Sequence, residues 1–334
     1  MIVRWLSSEN GVPRGIRTPV TAVKEGSIEF SAFCRISQTF AQLVAESEST
    51  KGRIVLYAVF GDESHDEAGA RVFAVAGLFG SEDDWGHLSE KWLARTGGKV
   101  FHAAECESNN GSFFGSTNAE NKRLYKDLIQ VACASRLMGR AHAMDLVGWN
   151  KFFPNAEDEM PYLTCFRNVI QECGDLAFLS IPRANVKFTF DQRIETNYNA
   201  RSLYSYMAKW ENWSASSLLH EEISFASRKY VGVQVADLIA RETMKHLDNI
   251  VGPIKRGTRL SMRELQNTGR FRFTYYTREW FRGFRSHFEE VSRSLGMEPT
   301  EYRDWLTKNG LADCMSSKHR YMFWKYPQGP KLKR

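Results

Sequence analysis

From Ile54 the chain reads IVLYAVF, a continuous apolar run of strand length, and then turns acidic at Asp62 and Glu63. An apolar run without alternation fits a central strand covered on both faces, here ending in acids and a turn. A polar turn containing Gly69 separates it from a second run, Val72 to Phe79, and the pair predicts a β-hairpin or adjacent strands. Ser81 then precedes Glu82, Asp83 and Asp84, with Trp85, Leu88, Trp92 and Leu93 in a helical pattern that stops at Gly97-Gly98. A serine cap and acids in the first turn suit the positive end of a helix.

The following segments alternate between the two periodicities. A short stretch, KVFHAAECE, leads to a Gly/Ser/Asn loop from Ser108 to Asn118 and a helix from about Ala119 to Leu137, with Leu124, Leu128 and Val131 on one face. A strand near Arg140 to Val147 and a helix near Tyr162 to Phe178 come next. Asn185 to Asp191 alternates, with Val186, Phe188 and Phe190 on one side and Lys187, Thr189 and Asp191 on the other. A helix near Tyr198 to Trp213, a short strand at Glu222 to Ala226 and the helix GVQVADLIARETMKHL complete the series. Strands interleaved with helices predict an α/β sheet of mixed direction over about 53–250. Residues 1–52 lack sustained periodicity and are expected to be peripheral. Their run from Gly11 to Val20 resembles peptides that arise when a reading frame passes through a neighbouring transfer-RNA gene.

Composition changes this picture mainly after Gly252-Pro253. The whole chain of 334 residues carries 45 Lys+Arg and 39 Asp+Glu, a formal charge of +6. Between Lys255 and Arg293 there are ten Lys/Arg against four Glu, interleaved with Phe271, Phe273, Tyr275, Tyr276, Trp280, Phe281, Phe284 and Phe288. Lys318 to Arg334 adds six more Lys/Arg and no acid. The segment 251–334 is therefore expected to be a basic, mostly helical extension. Its cations suit phosphate and its rings suit unpaired bases, with Arg270, Arg272, Arg278, Arg282 and Arg285 as candidate nucleic-acid contacts. The competing reading is burial, because Phe281, Phe284 and Phe288 fall at i, i+3 and i+7. No run reaches the roughly 18 to 20 apolar residues of a membrane-spanning helix, and no signal-peptide core forms at the start, so a cytoplasmic chain without a membrane partner is expected. The six cysteines form no CxxC pair and the eight histidines no HExxH, which excludes a disulfide scaffold or zinc ribbon and leaves oxygen as the ligand type for any metal.

Acids that end apolar elements carry the chemistry: Asp62 and Glu63 after the first strand, Asp191 after FTF, and Asp237 within an apolar helix. Each would be costly to desolvate without donors, a basic partner or a cation. A single aspartate at a strand end is commonly a turn former or helix cap, and Asp237 could pair with Arg241 one turn on. The turn-or-cap reading weakens when the three acids are taken together but stays open, and the ion pair would explain Asp237 but not Asp62.

A strand ending in Asp62-Glu63-Ser64, an apolar strand with Gly77, the segment His102-Ala103-Ala104-Glu105, Phe190-Asp191-Gln192 and the motif Gly232 to Ala240 together resemble the bacterial and phage family catalogued as domain of unknown function 3800 (DUF3800). The resemblance spans about 54–250 and is most specific in its last motif. It implies a ribonuclease-H-like α/β fold whose carboxylates hold divalent metal, with Asp62, Asp191 and Asp237 as the acidic core and Glu63, His102, Glu105 and Gln234 as secondary positions. His65 stands where the family usually has Gly after the DES segment, so the tightness of that turn is a departure. The implied chemistry is phosphodiester cleavage with Mg2+ or Mn2+, in which cations activate water and stabilise the leaving oxygen. Glu63 or Glu105 would complete the metal shell, and His102 or Glu105 would orient water or transfer a proton. The alternative is a non-catalytic nucleic-acid-binding or interaction module on the same fold. A small phosphorylated substrate fits less well, because no GxxxxGK[ST] loop is present.

Overall fold

β1 (Leu56–His65) and β2 (Val72–Ser81) form the antiparallel hairpin, with Val59 opposite Phe79 and Asp62 opposite Ala76. This computed structural model describes residues 56–301 except 67, 155–157, 181–183, 193–196, 211–212 and 299–300. β3 (Met138–Asp145) continues the meander antiparallel to β2, while β4 (Asn185–Asp191) lies parallel to β1 on its other side. β5 (Ser224–Ala226) is parallel to β4 and β6 (Phe271–Tyr276) is parallel to β3, giving the order β5-β4-β1-β2-β3-β6. A β1-β2-β3 meander extended past β1 by parallel strands is the ribonuclease-H-like arrangement. β1 is thereby covered along both edges, as its unbroken apolar run predicted.

One boundary differs from expectation at the place that matters. Asp62 and Glu63 do not follow β1 but lie within it, because the ladder with β2 continues through Glu63 opposite Val75 to His65 opposite Phe73. Backbone pairing is indifferent to side-chain polarity, so the acids are held in the pleat. Asp191 is likewise the last residue of β4.

Helices cover both faces. α1 (Glu82–Thr96) starts with a capping box in which the Asp84 amide donates to Ser81 Oγ at 3.2 Å while the Asp84 carboxylate accepts from the Ser81 amide. It buries Trp85, Leu88 and Trp92, whereas Leu93 falls off this stripe and is exposed. α2 (Ala103–Ser108), α3 (Asn118–Ala134), α4 (Leu146–Phe152), α5 (Met160–Ser180), α6 (Asn197–Met207) and α7 (Val231–Val251) follow. α6 stops short of Trp213, which is nevertheless buried. Val59, Val75, Phe79, Phe188 and Phe190 pack with α5 and α6, while Ala76, Leu78 and Ala141 pack with α1, α3 and α7. α7 lies so close to β1 that a Cβ at Gly232 would run into the Phe60 ring.

The segment after 250 is less separate than its composition suggested. α8 (Leu260–Asn267), β6 and α9 (Arg278–Ser294) build onto the main sheet, where Leu265 and Phe271 join one core and Tyr276 and Phe281 the other. In β6 the alternating Phe271, Phe273 and Tyr275 face the α7 layer, and Tyr276 turns to the α5 layer. The side chains of Phe284 and Phe288, residues 1–52 and the basic tail from Lys318 lie outside the described residues. Among the described residues Cys106, Cys165 and Cys173 are buried free thiols and Cys133 is half-buried. No described helix is long and apolar enough to cross a membrane.

Candidate functional site

The parallel register of β1 and β4 pairs Gly61 with Phe190, so Asp62 and Asp191 follow side by side on adjacent strands, about 4.8 Å apart in backbone spacing. Strand alternation turns both toward α7. Asp62 is paired with Ala76, whose side chain packs in the α7 layer, whereas Glu63 is paired with Val75 of the α5 layer. Glu63 therefore points away from the other three acids, although its charge is felt by Asp62. α7 supplies Asp237. Asp62, Asp191 and Asp237 are 1%, 7% and 3% exposed, so all three carboxyl groups are withdrawn from water.

Their partners are unequal. Asp62 Oδ1 accepts from the Glu63 amide at 2.7 Å, and its buried Oδ2 has no hydrogen-bond partner. Burial first, and then the negative charges of Asp237, Glu63 and Asp191, hold the Asp62 carboxyl well above the usual carboxylate range. Asp237 Oδ2 accepts from the Ala103 amide at 2.7 Å; burial raises its carboxyl, against the opposing pull of His102, that amide, Arg228 and Arg241. Asp191 Oδ2 stands 3.4 Å from Arg228 Nε. The Arg228 guanidinium is held in its charged form, despite partial burial, by Asp62, Asp191, Asp237 and Glu63. Sequence reasoning missed Arg228; its signal was a basic pair, Arg228-Lys229, just before the helix that carries Asp237.

Gln234 is a positioning residue. Its Oε1 accepts from Trp92 Nε1 at 2.9 Å and the Phe101 amide at 3.0 Å, and its Nε2 donates to the Arg228 carbonyl at 2.9 Å. One amide thus joins the segment leading to His102 with the turn that holds Arg228. His102 occupies the N-cap position of α2 without a side-chain capping bond, and its Nδ1 stands 3.0 Å from Glu105 Oε1 without a hydrogen bond. Glu105 Oε2 accepts from the Ser112 amide at 3.3 Å, and Gly111 packs on the same carboxylate so closely that a Cβ there would collide with it. Glu105 thus lies against His102 on one side and accepts from the following loop on the other.

Arg241 does not pair with Asp237 as the local alternative required. Its Nε donates to Glu107 Oε2 at 2.7 Å, and Arg259 bridges Glu107 at 2.6 Å and Glu242 at 3.1 Å. Glu242, fully buried, also accepts from Tyr125 at 2.7 Å and Ser261 at 2.6 Å. It belongs to this separate ionic network, as its helical phase from Asp237 implies.

The basic segment lies along β6, with β2 and β3 between it and β1. Arg270 donates to the Cys133 carbonyl and Arg278 pairs with Asp145 at 3.2 Å, so these two have structural partners. Arg272 and Arg282 are exposed, while the Arg285 side chain lies outside the described residues. The rings of Phe271, Phe273, Tyr275, Tyr276, Trp280 and Phe281 are buried or half-buried, which agrees with the burial reading and not with one in which this segment offers its rings to bases.

The donor set suits a hard divalent cation, since it consists of carboxylate oxygens, and the orphaned Asp62 Oδ2 asks for a positive partner. The side chains nevertheless do not form a closed cage. Among the described residues no three His, Cys, Asp or Glu side chains are gathered tightly enough to hold a metal ion as they stand. The carboxylates sense one another electrostatically, and Arg228 already neutralises part of their charge.

No family model matches the chain, and no curated protein matches it. Among solved structures, Bst-RNase HIII in complex with Mn2+ is similar over 69% of this chain and 67% of its own, at 12% identity and a TM-score of 0.35. A likeness that loose transfers no residue role to this chain.

Proposed function

We propose that this chain is a divalent-metal-dependent nuclease acting on the phosphodiester bonds of DNA or RNA, and that it belongs with the DUF3800 proteins it resembles. The observation that carries this reading is the buried, unpartnered Asp62 Oδ2 beside two other withdrawn aspartates. Capping explains only one of these three acids, since Asp237 accepts from the first amide of α2 while Asp62 and Asp191 cap no helix in their hydrogen bonds and ion pairs. Asp62, Asp191 and Asp237 would hold Mg2+ or Mn2+. When bound, such an ion lowers the pKa of water and stabilises charge developing on phosphate oxygens.

The remaining residues have roles of their own. Arg228, more than a third exposed beside the aspartates, is placed to bind a phosphate once its ion pair with Asp191 is exchanged. His102, whose Nδ1 lies 3.0 Å from Glu105 Oε1 without a hydrogen bond, is the imidazole suited to hold or move a proton beside the aspartates. Exposed Arg272 and Arg282 would reach the nucleic-acid backbone farther out. The test is to replace Asp62 and Asp237 separately with Asn and assay DNA and RNA cleavage with Mg2+ and Mn2+. Loss in both variants supports the reading, and undiminished cleavage in both rejects it.

A second reading, a non-catalytic binding module, is favoured by the Arg228–Asp191 pair, which satisfies one acid without any metal. Thermal melting separates the two, since a real site raises the melting temperature with Mg2+ by mass action and a module does not.

A further inference from the structure

We infer that the site receives a nucleic-acid strand whose bases are unpaired, gripped between Phe114 and Tyr230 with Arg228 and Lys229 on its phosphates; this rests on the nuclease reading and names its substrate class. Phe114 is 83% exposed and Tyr230 59% exposed. Single exposed apolar residues are ordinary. These two are set apart by the segments that present them.

Phe114 follows a 3-10 turn, Gly111–Phe113, whose Ser112 amide binds the carboxylate of Glu105. Its neighbour Phe113 is 2% exposed, with its ring centroid 5.9 Å from that of Phe101, directly before His102. The loop is thus fastened by Phe113 and Ser112 at the His102–Glu105 side of the site while the next ring stands in solvent. Tyr230 comes two residues after Arg228 and opens α7. Its amide donates to Ser227 and its carbonyl accepts from Val233 and Gln234, so the backbone under the ring is held. Tyr230, Gln234 and Asp237 follow at i, i+4 and i+7, which puts the ring on the face of α7 that carries the site aspartate.

Aromatic faces and cations together are the chemistry that recognises a single strand. Rings stack on bases of any sequence and Lys or Arg follow the backbone. A duplex hides its base faces, so two rings at the rim gain contact only with loops, bulges, ends or single strands. The aromatic contacts expected from the chain beyond 250 are instead supplied by these two loops.

The test uses the full chain with a fluorescently labelled single-stranded oligonucleotide and the duplex of the same sequence, in buffer containing Ca2+, read by anisotropy. The wild type should bind the single strand more tightly than the duplex. Phe114→Ala and Tyr230→Ala should each weaken single-strand binding about thirtyfold, the middle of the range for one stacked base, and leave the duplex nearly unchanged. Phe114→Trp should keep the preference. Alanine variants that bind the single strand like the wild type, equal losses on both probes, or a wild type that prefers duplex would each overturn the inference. Cleavage with Mg2+ or Mn2+ is scored separately: a single-strand preference carried by both rings without Asp62-dependent cleavage removes the nuclease reading and supports the base contacts. Asp62-dependent cleavage without that preference does the reverse.

Discussion

Replacing Asp62 with Asn deletes one negative charge from a buried group of three and leaves a side chain that can still accept from the Glu63 amide. In the wild type the buried Oδ2 is unpartnered, and an unsatisfied buried polar group costs about 1–3 kcal/mol. Two unit charges on neighbouring strands, about 5 Å apart, repel by roughly 3 kcal/mol at an effective dielectric constant of 20, before the nearby Arg228 offsets part of it. Asp62→Asn should therefore stabilise the metal-free protein by about 1–3 kcal/mol, or about 2–10 °C in melting temperature for a domain of this size. The effect should depend on pH. Asp62 keeps its proton to higher pH in the folded chain than in the unfolded one, so its contribution to stability is complete below about pH 3.9 and is lost as pH rises through the folded-state value. The gap between variant and wild type should thus be small near pH 4 and widen toward pH 8. Added Mg2+ should invert the order, raising the wild type by about 2.7 kcal/mol at a hundredfold excess over Kd and leaving the variant nearly unmoved. Calorimetric melting across pH, with and without Mg2+, reads all of this. A variant less stable than the wild type without metal, or a gap independent of pH, would refute the reasoning from buried like charge.

Two further predictions concern the frame around the aspartates. Gln234→Ala removes the partner of Trp92 Nε1, the Phe101 amide and the Arg228 carbonyl at once, and should cost about 2–4 kcal/mol in urea unfolding; a loss below about 1 kcal/mol would mean that water replaces these bonds. Burial alone would raise the Glu107 carboxyl, but Arg259 and Arg241 outweigh it and hold it below the usual range. Its stabilisation is present above about pH 4.3 and lost as pH falls through the folded-state value. Glu107→Gln should then lower stability by about 2–4 kcal/mol at pH 7, with the difference from wild type shrinking toward pH 3; a constant difference across that range contradicts the ion-pair account.

Much of the layering was readable from local pattern. Ser81 and the acids after it marked the start of α1, the alternation at Asn185 to Asp191 coincided with β4, and the unbroken apolar run marked β1 as central. The exposure of Leu93 and the end of α6 at Met207 were not readable, because both depend on which neighbours happen to pack there. The helical spacing of Glu242 from Asp237 turns the two side chains apart, since phase on a helix is a local property, and Glu242 meets Arg259, Tyr125 and Ser261 instead. Glu105 was harder. The resemblance offered it as a metal ligand or a water-orienting group, but only the fold of the 111–112 loop shows where its second oxygen is used.

By itself, the order of residues determined the secondary elements and the acidity of their ends, since caps, turns and periodicity act over a few positions. Only the tertiary structure decided that Asp62 and Asp191 stand next to each other while Glu63 faces the other layer, because strand register and pleat are set by pairing across more than a hundred residues of chain. It also drew Phe271–Tyr276 into the main sheet and set Arg228 against Asp191. Charge and ring content record what a segment could meet in water or in a core, and the choice between them is made by the apolar surface left open on the finished sheet.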